Sequence, residues 1–123
     1  MRDGHSEVLL LDEAVVNALR ESTGGDEEFL RELVATFVEE AAPNLRQLAA
    51  AAAAADAAAI VRPAHTLKST SATVGAMRLS AICRDIEAAG REGHDEGLAE
   101  AAGLAASVWT DTVEALRSAG LAT

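Results

Sequence analysis

Apolar side chains recur along this chain at alternating steps of three and four, the spacing of amphipathic helices. The clearest series is Leu30, Val34, Phe37, Ala41, Leu45, Leu48 and Ala52, which predicts a long helix opening at Asp26 with one continuous buried seam. Pro43 interrupts it, removing a backbone donor and crowding the carbonyl one turn back, so a kink is expected there unless two helices meet. Residues 49–55 are seven alanines, a strong helix former with a small packing face, and Asp56 is placed to cap the next helix. That helix is predicted over 57–74 on the seam Ile60, Ala64, Leu67, Ser71 and Val74, closed by Gly75 as the left-handed residue. Pro63 lies inside it and either kinks it or, as a first-turn residue, shortens it to start beside His65; Ile60 on the seam favours the longer form.

A further helix follows almost at once, with Leu79, Ile82, Ile86 and Ala89 inward and its end near Gly90. After the break at Gly93 and His94, with Asp95 as cap, the last helix carries Leu98, Ala102, Ala105, Trp109, Val113 and Leu116 on one face and frays beyond Gly120. Upstream, Asp12 caps a short helix bearing Val15, Val16 and Leu19 that ends before Thr23, Gly24 and Gly25. Too short to stand alone, it is expected to lie across one end of the bundle. The connections are short, so successive helices run antiparallel. The fold class expected is all-α, an antiparallel up-down four-helix bundle with a short additional N-terminal helix. Residues 1–8 are read as a flexible tail holding a solvated His5, and 9–123 as a single domain.

Composition narrows the function classes. At 123 residues one domain suffices, and half the residues are hydrophobic, a share raised by alanine, with only Phe29, Phe37 and Trp109 aromatic. The longest apolar run is too short to span a bilayer, and the start lacks the apolar core of a signal peptide, so a cytoplasmic location is expected. Between a free-standing chain and a piece of a larger protein, both of which stay open, Met1 and the short tails favour the former. Cys83 has no partner for an internal disulfide and sits in an apolar helical context, which predicts a buried thiol. The net charge of −10 argues against nucleic acid and anionic membranes. Its distribution is uneven. Residues 57–84 hold no acid but carry Arg62, Lys68, Arg78 and Arg84, whereas the remainder holds all 20 acids and 6 basic residues. This basic island either is a gap in the acids of a core helix or forms a surface for phosphoryl oxygens or an acidic partner pocket.

Within the island, helical geometry brings His65, Lys68, Ser69 and Ala72 onto one stripe beside the buried seam. The imidazole is thereby left reachable, with an ammonium one turn along. Counting outward from Gly75, His65 stands ten residues before it and Glu87 twelve after, or roughly 15 and 18 Å of antiparallel helix, so Glu87 reaches the level of His65. Glu87 could equally be an ordinary helix carboxylate paired with Arg84 or Arg91.

The window HTLKSTSATVG, from His65 to Gly75, resembles the signature of the histidine-containing phosphotransfer (HPt) domain family: a histidine, then x-Leu-Lys-Gly, a small residue, and a glycine ten positions on. The resemblance extends over most of the chain through the lengths and patterns of the flanking helices. It implies that His65 is a phosphoacceptor exchanging with aspartates of receiver domains, that Lys68 pairs with phosphoryl oxygens, and that Glu87 accepts from Nδ1 of the imidazole. Ser69 stands where many members have glycine, a small residue that lets a partner approach. Docking ground is expected at Arg62, Ser69 and Ala72, with Val15, Val16, Leu19 and Leu33 as apolar candidates that could equally be core. The partners implied are response-regulator receiver domains and a hybrid sensor histidine kinase, with a monomeric carrier between them. No cofactor is expected on this chain; Mg²⁺ belongs to the receiver. Neither a GxxxxGK[ST] loop nor an ATP-lid motif is found, so the chain should carry phosphate without autokinase activity. Two rivals stay open: a metal site using His65 and Glu87, which lacks further ligands at suitable spacing, and a helical interaction module without phosphotransfer.

Overall fold

Three aspartates begin three of the helices. Asp12, Asp26 and Asp56 each turn a carboxylate back onto a free backbone N–H, of Ala14 at 2.9 Å, Phe29 at 3.0 Å and Ala59 at 3.1 Å. Each such cap is worth about 0.5–2 kcal/mol. A computed structural model describes residues 5–123, and its elements are α1 (Glu13–Ser22), α2 (Glu27–Ala53), α3 (Ala57–Thr73), α4 (Met77–Arg91) and α5 (Leu98–Ser118). No strand occurs among the described residues, so the fold is all-helical. Pro43 and Pro63 lie inside α2 and α3, neither of which divides there. The fifth helix differs from expectation at its start. Gly97, with φ +78°, precedes it and no side chain caps it, so Asp95 does not serve.

The helices close a ring: α3 packs most extensively on α4 and next on α2, while α5 packs on α2 and α4. All five expected seam residues are buried, Ile60, Ala64, Leu67 and Ser71 completely, with Val74 as the cap just past the end of α3. Where α3 meets α4 the backbones approach closely. A Cβ on Gly90 would lie 2.8 Å from both the Ala57 carbonyl oxygen and Cγ2 of Ile60. Gly90 therefore is a packing residue, and α4 runs through it to Arg91. Between the two helices Gly75 takes φ +84°, and its carbonyl accepts from Asp12 N–H at 2.8 Å, fixing α1 onto the α3–α4 turn. Val16 is buried against this turn, which assigns it to the core.

The inner line of α5 is shifted from the expected one. Val108 and Thr112 are buried between Ala105 and Leu116, whereas Trp109 and Val113 are half-buried. Thr112 tolerates burial because its hydroxyl donates to the Val108 carbonyl at 2.7 Å. Trp109 instead covers the edge of the core, edge-to-face with Phe37 at 5.5 Å between ring centres. Cys83 is fully buried, and burial pushes its thiol up to about 12.

Of the tail expected over residues 1–8, residues 1–4 lie outside the described residues. Residues 5–8 lie along α4. Arg78 donates from Nε to the Val8 carbonyl at 2.9 Å and from Nη2 to the Ser6 carbonyl at 3.1 Å. His5, expected to be solvated, is only 17% exposed and pairs through Nε2 with Asp85. Sequence distance hid this contact, which joins residues 80 positions apart.

Candidate functional site

With Ile60, Ala64, Leu67 and Ser71 buried, the next residue outward along α3 is His65, and its side chain is 54% exposed. One turn on, Lys68 lies on the same side. Opposite them α4 presents Glu87, which follows the buried Ile86 and is itself only 5% exposed. The height estimated from Gly75 is realised: Nδ1 of His65 lies 2.9 Å from Oε2 of Glu87. Lys68 Nζ lies 2.7 Å from Oε1 of the same carboxylate. Ser80 strengthens the α3–α4 joint here, donating its hydroxyl to the Lys68 carbonyl at 2.8 Å.

Arg91 is the fourth member. Its Nε and Nη2 both reach Oε2 of Glu87, at 3.0 and 2.7 Å, so the oxygen that faces His65 also faces a guanidinium. Pairing of Glu87 with His65 and pairing with Arg91 stood as alternatives on sequence grounds; both occur on one oxygen. The signal was the i, i+4 spacing on α4, which says that two residues can meet but not that a third shares the contact. Lys68 and then Arg91, with a smaller share from His65, hold the Glu87 carboxyl down at about 2 against burial, which pushes the other way.

An ionised carboxylate accepts hydrogen bonds and donates none, so the proton between the two groups is on Nδ1 of His65. In the neutral ring this leaves the lone pair on Nε2, to which no hydrogen bond occurs among the described residues. The site thus offers one outward nucleophilic nitrogen, held in one tautomer by a buried anion.

A profile of the Hpt domain family matches residues 32–119. The chain belongs to the Hpt domain family. The chain is also similar to a solved structure, the crystal structure of histidine-containing phosphotransfer protein B (HptB) from Pseudomonas aeruginosa PAO1. The identity is 28% and the TM-score 0.80, over 89% of this chain and 92% of that one. Comparison with curated proteins gives no match.

On this Hpt domain Arg62 and Ser69 are exposed and Ala72 is half-buried, all on α3 near His65. The expected basic island is largely consumed from within. Lys68 is paired with Glu87, Arg78 holds the Ser6 and Val8 carbonyls, and Arg84 lies 3.6 Å from Asp85. Among the described residues, Arg62 alone of the four has no ion pair or side-chain hydrogen bond. Val15, Leu19 and Leu33 are half-buried. Among the described residues no group of three or more His, Cys, Asp or Glu side chains could hold a metal ion, and no helix is long and apolar enough to cross a membrane.

Proposed function

We propose that this Hpt domain is a phosphorelay carrier in two-component signalling, accepting a phosphoryl group on Nε2 of His65 and passing it on. The observation that carries the reading is the pair of a half-exposed imidazole and a buried carboxylate on its Nδ1. In the forward step the Nε2 lone pair attacks the phosphorus of a receiver aspartyl phosphate. The N–P bond forms as the P–O bond to the aspartate breaks, and the aspartate leaves as carboxylate. The reverse step returns the group to another receiver. Glu87 orients the ring. Lys68, 2.7 Å from Glu87 in the resting site, is the cation that would meet an equatorial phosphoryl oxygen. Mg²⁺ would come with the receiver.

The ring of packed helices and the short connections support an antiparallel up-down bundle of α2 to α5 with α1 across one end. Arg62, Ser69 and Ala72 form the proposed docking ground for receiver domains and for a hybrid sensor kinase, with the carrier a cytoplasmic monomer. Lacking a nucleotide-binding motif, it would be filled and emptied by other proteins rather than from ATP.

Incubation with a phosphorylated receiver domain should place acid-labile phosphate on His65, and His65→Gln should abolish it. Labelling of His65 by ATP alone would overturn the carrier reading. Partner effects that persist undiminished in His65→Gln would reduce the protein to an interaction module.

A further inference from the structure

A carboxylate beside an imidazole acts in two opposed ways. By accepting from Nδ1–H it fixes the tautomer with a free Nε2, but its negative charge also stabilises imidazolium, which has no lone pair to give. Which effect wins depends on what else holds that carboxylate.

Here two cations do. Lys68 lies on Oε1 of Glu87, and Arg91 places two N–H groups on the oxygen shared with His65. Because Nδ1 and Nη2 lie 2.9 and 2.7 Å from the same atom, they are no more than about 5.6 Å apart. With a neutral ring the cluster already carries one anion and two cations. A proton on Nε2 would add a third positive charge to it. On the same two helices and just past them, Arg62 stands one turn before His65, Arg84 stands one turn before Glu87 and 3.6 Å from Asp85, and Glu92 follows Arg91. Among the described residues no ion pair joins a charged side chain of α2 to His65, Lys68, Glu87 or Arg91.

We propose that Arg91 is a positioning residue that keeps His65 neutral: it offsets the charge of Glu87, so that this carboxylate orients the imidazole without drawing a second proton to it. Arg91 suits this task better than Lys68. It lies four residues from Glu87 on the same helix and grips through two donors, while Lys68 is the cation assigned to the arriving phosphoryl group. The effect on transfer rate rests on the phosphorelay reading; the effect on the ring does not.

The test compares the wild type with Arg91→Gln, which keeps amide donors and removes the charge, and Arg91→Lys, which keeps the charge. The His65 ring is titrated by NMR, and transfer from a phosphorylated receiver is timed across the same pH range. In Arg91→Gln the ring midpoint should move up by about one unit. Transfer should then be roughly tenfold slower well below the midpoint and equal to wild type above it. Arg91→Lys should restore both. An unmoved ring midpoint in Arg91→Gln overturns the inference, as does a rate lowered by one factor at every pH. If the wild type takes no phosphoryl group while the ring midpoint still moves, the phosphorelay reading fails and the inference stands.

Discussion

At Glu87 the protonation of one side chain is linked to the stability of the whole chain. Its carboxyl is held at about 2 in the fold against an ordinary value of 4.5, so on acidification the unfolded chain takes up this proton first. The stabilisation is present in full above about 4.5 and is lost as pH falls toward about 2. Glu87→Gln cannot titrate, and the gap in denaturant midpoint between it and the wild type should narrow across that window; a constant gap would show that the ion pairs do not stabilise the fold. At Lys68 the consequence is kinetic. A charge-assisted contact strongest in the transition state is worth about 1.5–3 kcal/mol, so Lys68→Ala should slow phosphotransfer roughly ten- to a hundredfold. Rapid-quench transfer at saturating receiver measures this, and an unchanged rate removes Lys68 from the mechanism.

Helix glycines with and without neighbours separate packing from propensity. A Cβ on Gly90 would lie 2.8 Å from the Ala57 carbonyl oxygen and from Cγ2 of Ile60, while a Cβ on Gly103 of α5 would meet nothing within 4 Å. Alanine at position 103 should therefore stabilise by about 0.5–1 kcal/mol through the helical backbone alone. Alanine at position 90 gains the same term but wedges α3 from α4, and overpacking of this kind costs about 1–3 kcal/mol. A lower melting temperature for Gly90→Ala and a higher one for Gly103→Ala is the expected pair, and a rise in both would refute the close approach. Because Gly90 is three residues from Glu87, the same wedge should loosen the contact with His65 and slow transfer.

The legibility of the elements follows from the same contrast. All five residues of the α3 seam could be read because Ile60, Leu67 and Val74 are bulky apolar residues at one phase with smaller residues at the steps between them, although Pro63, read only as a kink or a helix start, is buried beside them. In α5 many alanines fit either phase, and Trp109 drew the expected line toward itself. The buried line follows Val108 and Thr112 instead, the latter made tolerable by a hydrogen bond that no spacing announces. The contact between His65 and Glu87 was legible because a short turn fixes the register of two antiparallel helices. The role of Gly90 was not, since a glycine near a helix end reads as a stop whether or not another helix presses on it.

Across the whole molecule, net charge and usable charge part company. The chain carries −10 overall, and the island of four basic residues reads in sequence either as a gap in the acids of a core helix or as a surface of its own. In the fold Arg78 ties residues 6 and 8 to α4, Arg84 is near Asp85 and Lys68 is on Glu87, so among the described residues Arg62 is the one of the four without an ion pair or side-chain hydrogen bond, and in the docking proposed above it is the one that would meet a partner's acid. An exposed pair of this kind contributes about 0.2–1 kcal/mol, or roughly 1.5- to 5-fold in affinity, and is screened beyond about 10 Å at 0.1 M salt. Arg62→Ala should accordingly weaken receiver binding by that factor at low ionic strength and less at high, with the loss mainly in the association rate. Arg84→Ala, removing a charge already near an acid, should change binding less than Arg62→Ala at every salt concentration. Surface plasmon resonance over a salt series distinguishes the two, and equal losses for both would mean that the receiver reads the island as one field rather than through a single free guanidinium.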